Sequence, residues 1–217
     1  MSYKKSRLIP GKIPSVAVQE EFASFLYSMY DVAKTDLKQV LLFLDPMHQI
    51  HNNENDYSWQ FKGKEFTKQI KANTGRRRMN IVGAINPVTL ASTTIITEEN
   101  CCEELIQAFL YEVKEQYKEA DTICIVLDNA RYQRAYSVKD LADELNIHLV
   151  FLPPYCPNLN LIERLWKFFK KKVMKNKYYE SFYEFEQIVF DFFKYFDKYN
   201  EELKSLLNFK FGIIKTN

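Results

Sequence analysis

Two unbroken apolar runs, residues 40–44 (VLLFL) and 123–127 (ICIVL), each end on an aspartate, Asp45 and Asp128. A strand buried on both faces reads this way, so both runs belong inside a sheet with helices covering it. Each then carries a carboxylate to a strand end. Pro46 cannot donate to a ladder, so pairing is expected to stop there, and the polar residues 48–56 read as loop.

A chain of 217 residues can bury a sizeable core and predicts one domain with at most a small appendage. The net charge of +2, from 30 basic against 28 acidic residues, is too small to argue for a nucleic-acid partner; only the distribution of charge can. Four cysteines, with Cys101 and Cys102 adjacent and no CxxC spacing, indicate neither a zinc knuckle nor a disulfide framework. The basic N-terminus is followed by no apolar signal region, and no apolar run approaches membrane-spanning length. A soluble protein of the cytoplasm with no membrane contact is expected.

Taken in order, residues 1–14 read as an extended basic arm, and Phe22, Phe25, Leu26 and Met29 predict an amphipathic helix over 18–33. Residues 57–61 and 65–71, on either side of a Lys-Gly-Lys turn, suggest a hairpin added to the core. Strands over 79–85 and 90–97, joined by a turn at Asn86 and Pro87, read as an antiparallel pair. Then come a helix within 101–119, the strand at 123–127, a helix over 138–145 and a strand over 148–152. An antiparallel meander followed by crossover helices predicts an α/β fold, a mixed five-stranded sheet flanked by helices in the ribonuclease H-like arrangement. That arrangement sets the first and fourth strands side by side, which would unite Asp45 with Asp128. Phe182, Phe185, Val189, Phe192, Phe196 and Tyr199 form a narrow aromatic-rich seam at helical steps, read as a C-terminal helix docked on the core in preference to a dimer seam. The divisions expected are 1–37 for arm and first helix, 38–178 for the catalytic domain and 179–217 for a helical extension.

Glu163 opens a basic helix and supplies a third acid. Asp and Glu are hard oxygen donors suited to magnesium, and two such ions can activate an attacking oxygen and stabilise a leaving one at a phosphodiester. Each acid also has a plain structural reading: Asp45 and Asp128 can start turns, and Asn160 with Glu163 resembles a capping box. Together they favour a metal site, because two end the most apolar strands and the third heads a helix with Lys167, Lys170 and Lys171 on its own face. Leu161, Ile162, Leu165, Trp166, Phe169 and Val173 form the opposite, buried face. The lysines can guide a phosphate backbone or simply be a solvated helix end. Arg76, Arg77 and Arg78 form a second basic cluster at a turn, and Arg131 is placed with them as a DNA contact. His48, His51 and Asn129 are candidates for supporting the site, although such histidines more often hold a loop together.

The motifs DPMHQIHN at 45–52, DNARYQRA at 128–135 and LPPYCPNLNLIERLWKFFKK at 152–171 resemble the three catalytic blocks of the DDE transposases of the mariner-like superfamily. The likeness is to the bacterial insertion-sequence branch called IS six-thirty, and it covers nearly the whole chain, from about residue 9 to 199. Asp128 and Glu163 are separated by the 34 residues characteristic of that superfamily. The resemblance implies that Asp45, Asp128 and Glu163 are a triad holding two Mg2+, with Mn2+ able to substitute. Water would cut a transposon-end strand, and the freed 3′-hydroxyl would attack target DNA, typically at TA. It implies double-stranded DNA as partner, a homodimer on that DNA and a bacterial, chromosomal setting. Gln133, Leu161 and Pro46 depart from the residues common at those places. Relatives usually carry N-terminal helix-turn-helix modules, so an end-binding module that is separately encoded or missing is expected. The rival readings are a nuclease of the same fold acting on RNA paired to DNA, and a decayed remnant that only binds DNA.

Overall fold

The computed structural model describes residues 11–52, 54–73 and 75–215, so most of the expected basic arm lies outside the described residues. Helix α1 (Val16–Thr35) begins where the Ser15 hydroxyl accepts from the Val18 amide, an N-cap worth about 1 kcal/mol. Strand β1 (Gln39–Ile50) leads to β2 (Arg78–Ile85), β3 (Ser92–Thr97), helix α2 (Glu103–Gln116), β4 (Thr122–Leu127), α3 (Tyr136–Glu144) and β5 (Ile147–Phe151). Helix α4 (Ile162–Phe169) runs into a π turn (Lys170–Met174), and α5 (Phe182–Lys194) and α6 (Asn200–Leu206) close the fold.

The strands form one five-stranded sheet in the order β3-β2-β1-β4-β5, with β1–β4 and β4–β5 parallel and the other pairs antiparallel. The first and fourth strands are therefore neighbours, as expected.

Alternation along β1 splits the core in two. Val40, Leu42 and Leu44 face α2 and α3, while Leu41, Phe43 and Met47 face the layer containing α1, α4 and α5. On β4, Ile123, Ile125 and Leu127 join the first layer and Val126 the second. The same parity sends residues 45 and 128 toward α4. The aromatic seam of the tail packs inward: Phe182, Phe185, Val189 and Phe192 are buried, and α5 starts where the N-cap Ser181 accepts from Glu184 N at 3.1 Å, while the Glu184 carboxylate reaches back to accept from Glu180 N at 2.9 Å, one residue before the cap.

Two expectations need correction. Strand β1 does not end at Pro46: parallel pairing with β4 ends at Phe43↔Val126, but antiparallel pairing with β2 continues through Pro46↔Val82 to Ile50↔Arg78. Since β4 ends at Leu127, Pro46 lies on a strand with one free side, where a missing N–H is tolerated. The hairpin does not form either. Residues 57–71 contain only a short 3-10 turn (Lys64–Phe66), with Tyr57 94%, Trp59 104% and Phe61 83% exposed. Without a buried face, the paired backbone would have had little packing to hold it. Among the described residues no helix is long and apolar enough to cross a membrane.

Candidate active site

Asp45 and Asp128 stand at equivalent places on adjacent parallel strands, each two residues beyond the last register pair Phe43↔Val126. Glu163 comes from the first turn of α4. All three line one cavity of about 470 Å³, with Asn129, Asn160 and a wall from Leu152 to Pro157 as neighbours.

The Asp45 carboxyl is raised from its ordinary 3.8 to about 8, chiefly by burial and then by the negative charges of Glu163 and Asp128, against an opposing hydrogen bond from Trp166. Glu163 is also raised, chiefly by burial, while Lys167 and Lys170 pull it down and Asp128 adds repulsion. The three acids thus feel one another. Crowded carboxylates resist ionising together, and a cation between them relieves that repulsion.

The donor set fits magnesium. It is all oxygen, and the cavity has room for the waters this ion retains when only one or two carboxylates bind it. Among the described residues no three His, Cys, Asp or Glu side chains converge tightly enough to chelate an ion unaided. Two of the acids are held by local bonds. Oδ2 of Asp45 accepts from Trp166 Nε1 at 3.2 Å, and Oδ1 of Asp128 accepts from Ala130 N at 3.0 Å.

Three residues that sequence reasoning left out of the site organise it. Trp166 reaches Asp45 over Gly83, the residue paired with Asp45 in β2; a Cβ on Gly83 would lie 2.6 Å from the indole Cη2. The signal was a Trp on the buried face of α4, since a buried indole N–H seeks an acceptor. Asn160 forms no capping box. Its Nδ2 donates to Leu44 O at 3.0 Å, fastening the start of α4 to the β1 residue before Asp45, and the helix lacks a side-chain cap.

The other expected site residues separate into groups. Asn129 lines the cavity and donates to Leu152 O, and Arg131 is exposed on the short turn that follows Asp128 (Arg131–Arg134). Lys167 and Lys171 are exposed, whereas Lys170 pairs with Glu54 at 3.2 Å. In the arginine cluster, Arg76 is exposed, Arg77 pairs with Glu98 at 2.7 Å and lies 3.8 Å over the Phe182 ring, and Arg78 donates to Asn100. His48 bonds Asn80. His51 is buried, bonds Tyr179 O at 3.0 Å and stacks on Phe185, which is a loop-holding role. The cavity lining does not include either histidine.

The sheet order, its helical layers and the placement of acids on the central strands define the ribonuclease H-like class of fold. The chain belongs to the DDE superfamily endonuclease family, whose model matches residues 40–186. It is 21% identical over 145 residues to the "Insertion element IS630 uncharacterized 39 kDa protein" of Shigella sonnei, covering 66% of this chain and 41% of that one. An uncharacterized protein of Sinorhizobium fredii is 29% identical over 82 residues, 38% of this chain and 58% of its own length. The chain therefore spans about half the length of these curated relatives. Among solved structures it is similar to the Mos1 mariner paired-end complex with Mn, at a TM-score of 0.72 and 15% identity, covering 95% of this chain and 63% of that one. The isolated Mos1 catalytic domain superposes with a TM-score of 0.63 at 12% identity, covering 93% and 94%. The insertion-element resemblance holds in sequence and the mariner-like resemblance in fold.

Proposed function

We propose that the chain is the catalytic domain of a transposase that cuts DNA at transposon ends and joins the freed 3′-hydroxyl to target DNA, at TA dinucleotides. The observation that carries this reading is the opening of Asp45, Asp128 and Glu163, from two strands and a helix, into one cavity. The solved Mos1 structures of similar fold support it, being complexes with a transposon end and paired-end complexes with Mn or Mg.

In this reading the three carboxylates hold two Mg2+, or Mn2+ in their place. When bound, the ions supply activation of the attacking oxygen and charge stabilisation at the leaving one. The chain's own residues do the rest. Trp166 orients Asp45, Asn160 fixes the start of α4 against β1, and Asn129 secures the loop after Asp128 to β5. Arg131, Lys167 and Lys171 face DNA phosphates. The working form is a homodimer on DNA in the bacterial cytoplasm, served by a helix-turn-helix end-binding module, with residues 38–178 as the catalytic domain.

The test is Mg2+-dependent nicking and strand transfer on duplex DNA carrying matched transposon ends, with the end-binding module supplied. Wild type should produce both products, and Asp128→Asn or Glu163→Gln should lower the rate by at least a hundredfold. Equal activity in these variants would remove the proposal, and preferred hydrolysis of an RNA–DNA hybrid would replace it with a ribonuclease.

A further inference from the structure

The first turn of α4 holds Glu163 without a side-chain cap. Amides at an uncapped helix start have no partner within the helix, and such ends fray unless something outside fixes them. Asn160 supplies one tie, to β1. Arg164, the residue after Glu163, supplies another.

The Arg164 guanidinium is half-buried and is wrapped by the chain that leaves α6. Its Nη1 donates to Leu206 O at 3.2 Å, to Asn208 O at 2.6 Å and to Asn208 Oδ1 at 3.2 Å, and its Nη2 donates to Lys210 O. All of these acceptors are neutral, and among the described residues Arg164 forms no salt bridge. Burial works against the charge and lowers its pKa, so these charge-assisted bonds are what keep the cation in place.

The same chain, residues 207–214, continues as a strap around the site. Phe209 is buried, stacks on Tyr30 of α1 with ring centroids 4.0 Å apart, and meets the edge of Phe43, the β1 residue two before Asp45 and on the same face. Farther on, Ile214 N donates to Oε1 of the buried Gln19 at 3.0 Å and Ile214 O accepts from its Nε2 at 3.0 Å. Asn158 follows the Pro157 end of the cavity wall, and it donates to Gly212 O at 2.8 Å and to Gln19 Oε1 at 3.2 Å. The strap therefore meets the frame of the site beside Glu163, behind Asp45 and at the end of the cavity wall. It lies beyond residue 186, where the family match ends.

That frame matters because the acids repel one another and do not converge unaided. Their spacing has to be imposed from outside the site.

We propose that Arg164 is a positioning residue for the triad: gripped by the strap, it fixes the first turn of α4 and so the place from which Glu163 joins Asp45 and Asp128 on a divalent ion. The inference rests on the reading of the three acids as a cation site and extends that site's support to the C-terminal strap.

The test pairs hydrogen exchange on the metal-free full chain with isothermal titration of Mn2+. Arg164→Gln should speed exchange in the first turn of α4 by about tenfold, the effect of losing one charge-assisted bond, while α2 is unchanged. It should weaken Mn2+ binding by about tenfold, as removal of a residue that orients metal ligands does. Arg164→Lys should recover only part of both, because a point ammonium cannot span the acceptors that the planar fork reaches. In nicking assays the Mn2+ concentration for half-maximal rate should rise by the same factor, with the rate at saturating Mn2+ and the KM for DNA within about twofold of wild type. Phe209→Leu loosens the strap without touching Arg164 and should act in the same direction. If Arg164→Gln does not fold, Arg164→Lys and Phe209→Leu decide the matter by the same readouts. Unchanged Mn2+ affinity and unchanged α4 exchange in the folded variants would overturn the positioning role and leave the cation site standing. A wild type that takes up no Mn2+ would overturn the cation site itself, and the inference with it.

Discussion

The indole N–H of Trp166 is hydrogen-bonded to the Asp45 carboxylate, 3.2 Å from Nε1 to Oδ2, and it reaches there over a glycine. One side chain thereby links the helix that carries Glu163 to the strand that carries Asp45. Gly83 is required because any Cβ at that position would meet the indole at 2.6 Å. A rigid ring in a closely packed layer has little room to yield.

Gly83→Ala is predicted to displace Trp166 and destabilise the fold by about 1–3 kcal/mol, the usual range for overpacking. Thermal unfolding should show a fall of several degrees. An unchanged melting temperature would mean the ring moves aside without strain.

Trp166→Phe keeps the ring packing largely intact and deletes the donor. Trp166 holds the Asp45 carboxyl down, so its loss should raise that group further. Cation binding needs the ionised carboxylate, and the acid limb of the rate profile should therefore move to higher pH. The check is nicking rate against pH for both proteins, and coincident acid limbs would remove the role given to this bond.

Asn160→Ala removes the tie to the Leu44 carbonyl and is predicted to cost about 1–3 kcal/mol, since a buried acceptor loses its partner. The loss should concentrate near the site. Hydrogen exchange at the start of α4 and the end of β1 should rise more than in α2.

Much of this organisation was legible before the fold was seen, for reasons tied to particular residues. The runs at 40–44 and 123–127 had to be central strands because they offer no polar face, and neighbouring parallel strands then bring Asp45 and Asp128 together. Strand β1 past Pro46 could not be read so easily: its partner is β2, nearly thirty residues away, and alternation there is broken by His48 and Gln49. Residues 57–71 have strand-like composition, but propensity is realised only on a packed surface, and they have none. Local spacing made Asn160 a cap, whereas the nonlocal Leu44 carbonyl claims its amide. The arginine cluster looked like a uniform basic turn, but Glu98 and Phe182 engage Arg77 and leave Arg76 exposed.

The shift at Asp45 also fixes a stability dependence. Its folded value, about 8, lies above the ordinary 3.8, so its contribution to stability is fully present below about 3.8 and is lost as pH rises through about 8. In the absence of divalent ions, Asp45→Asn should therefore melt higher than wild type at pH 9, with the gap closing in acid. Reversal of that order, measured in chelator across pH 5 to 9, would contradict the electrostatic picture of the cavity.

The central claim is that Asp45, Asp128 and Glu163 act as one cation site, and isothermal titration of Mn2+ into the folded protein tests it most directly. The predicted result is saturable binding, weakened at least tenfold by each of Asp45→Asn, Asp128→Asn and Glu163→Gln, with a melting temperature in wild type that rises on addition of the ion. Binding that is absent from wild type, or equally strong in all four folded proteins, would contradict the account.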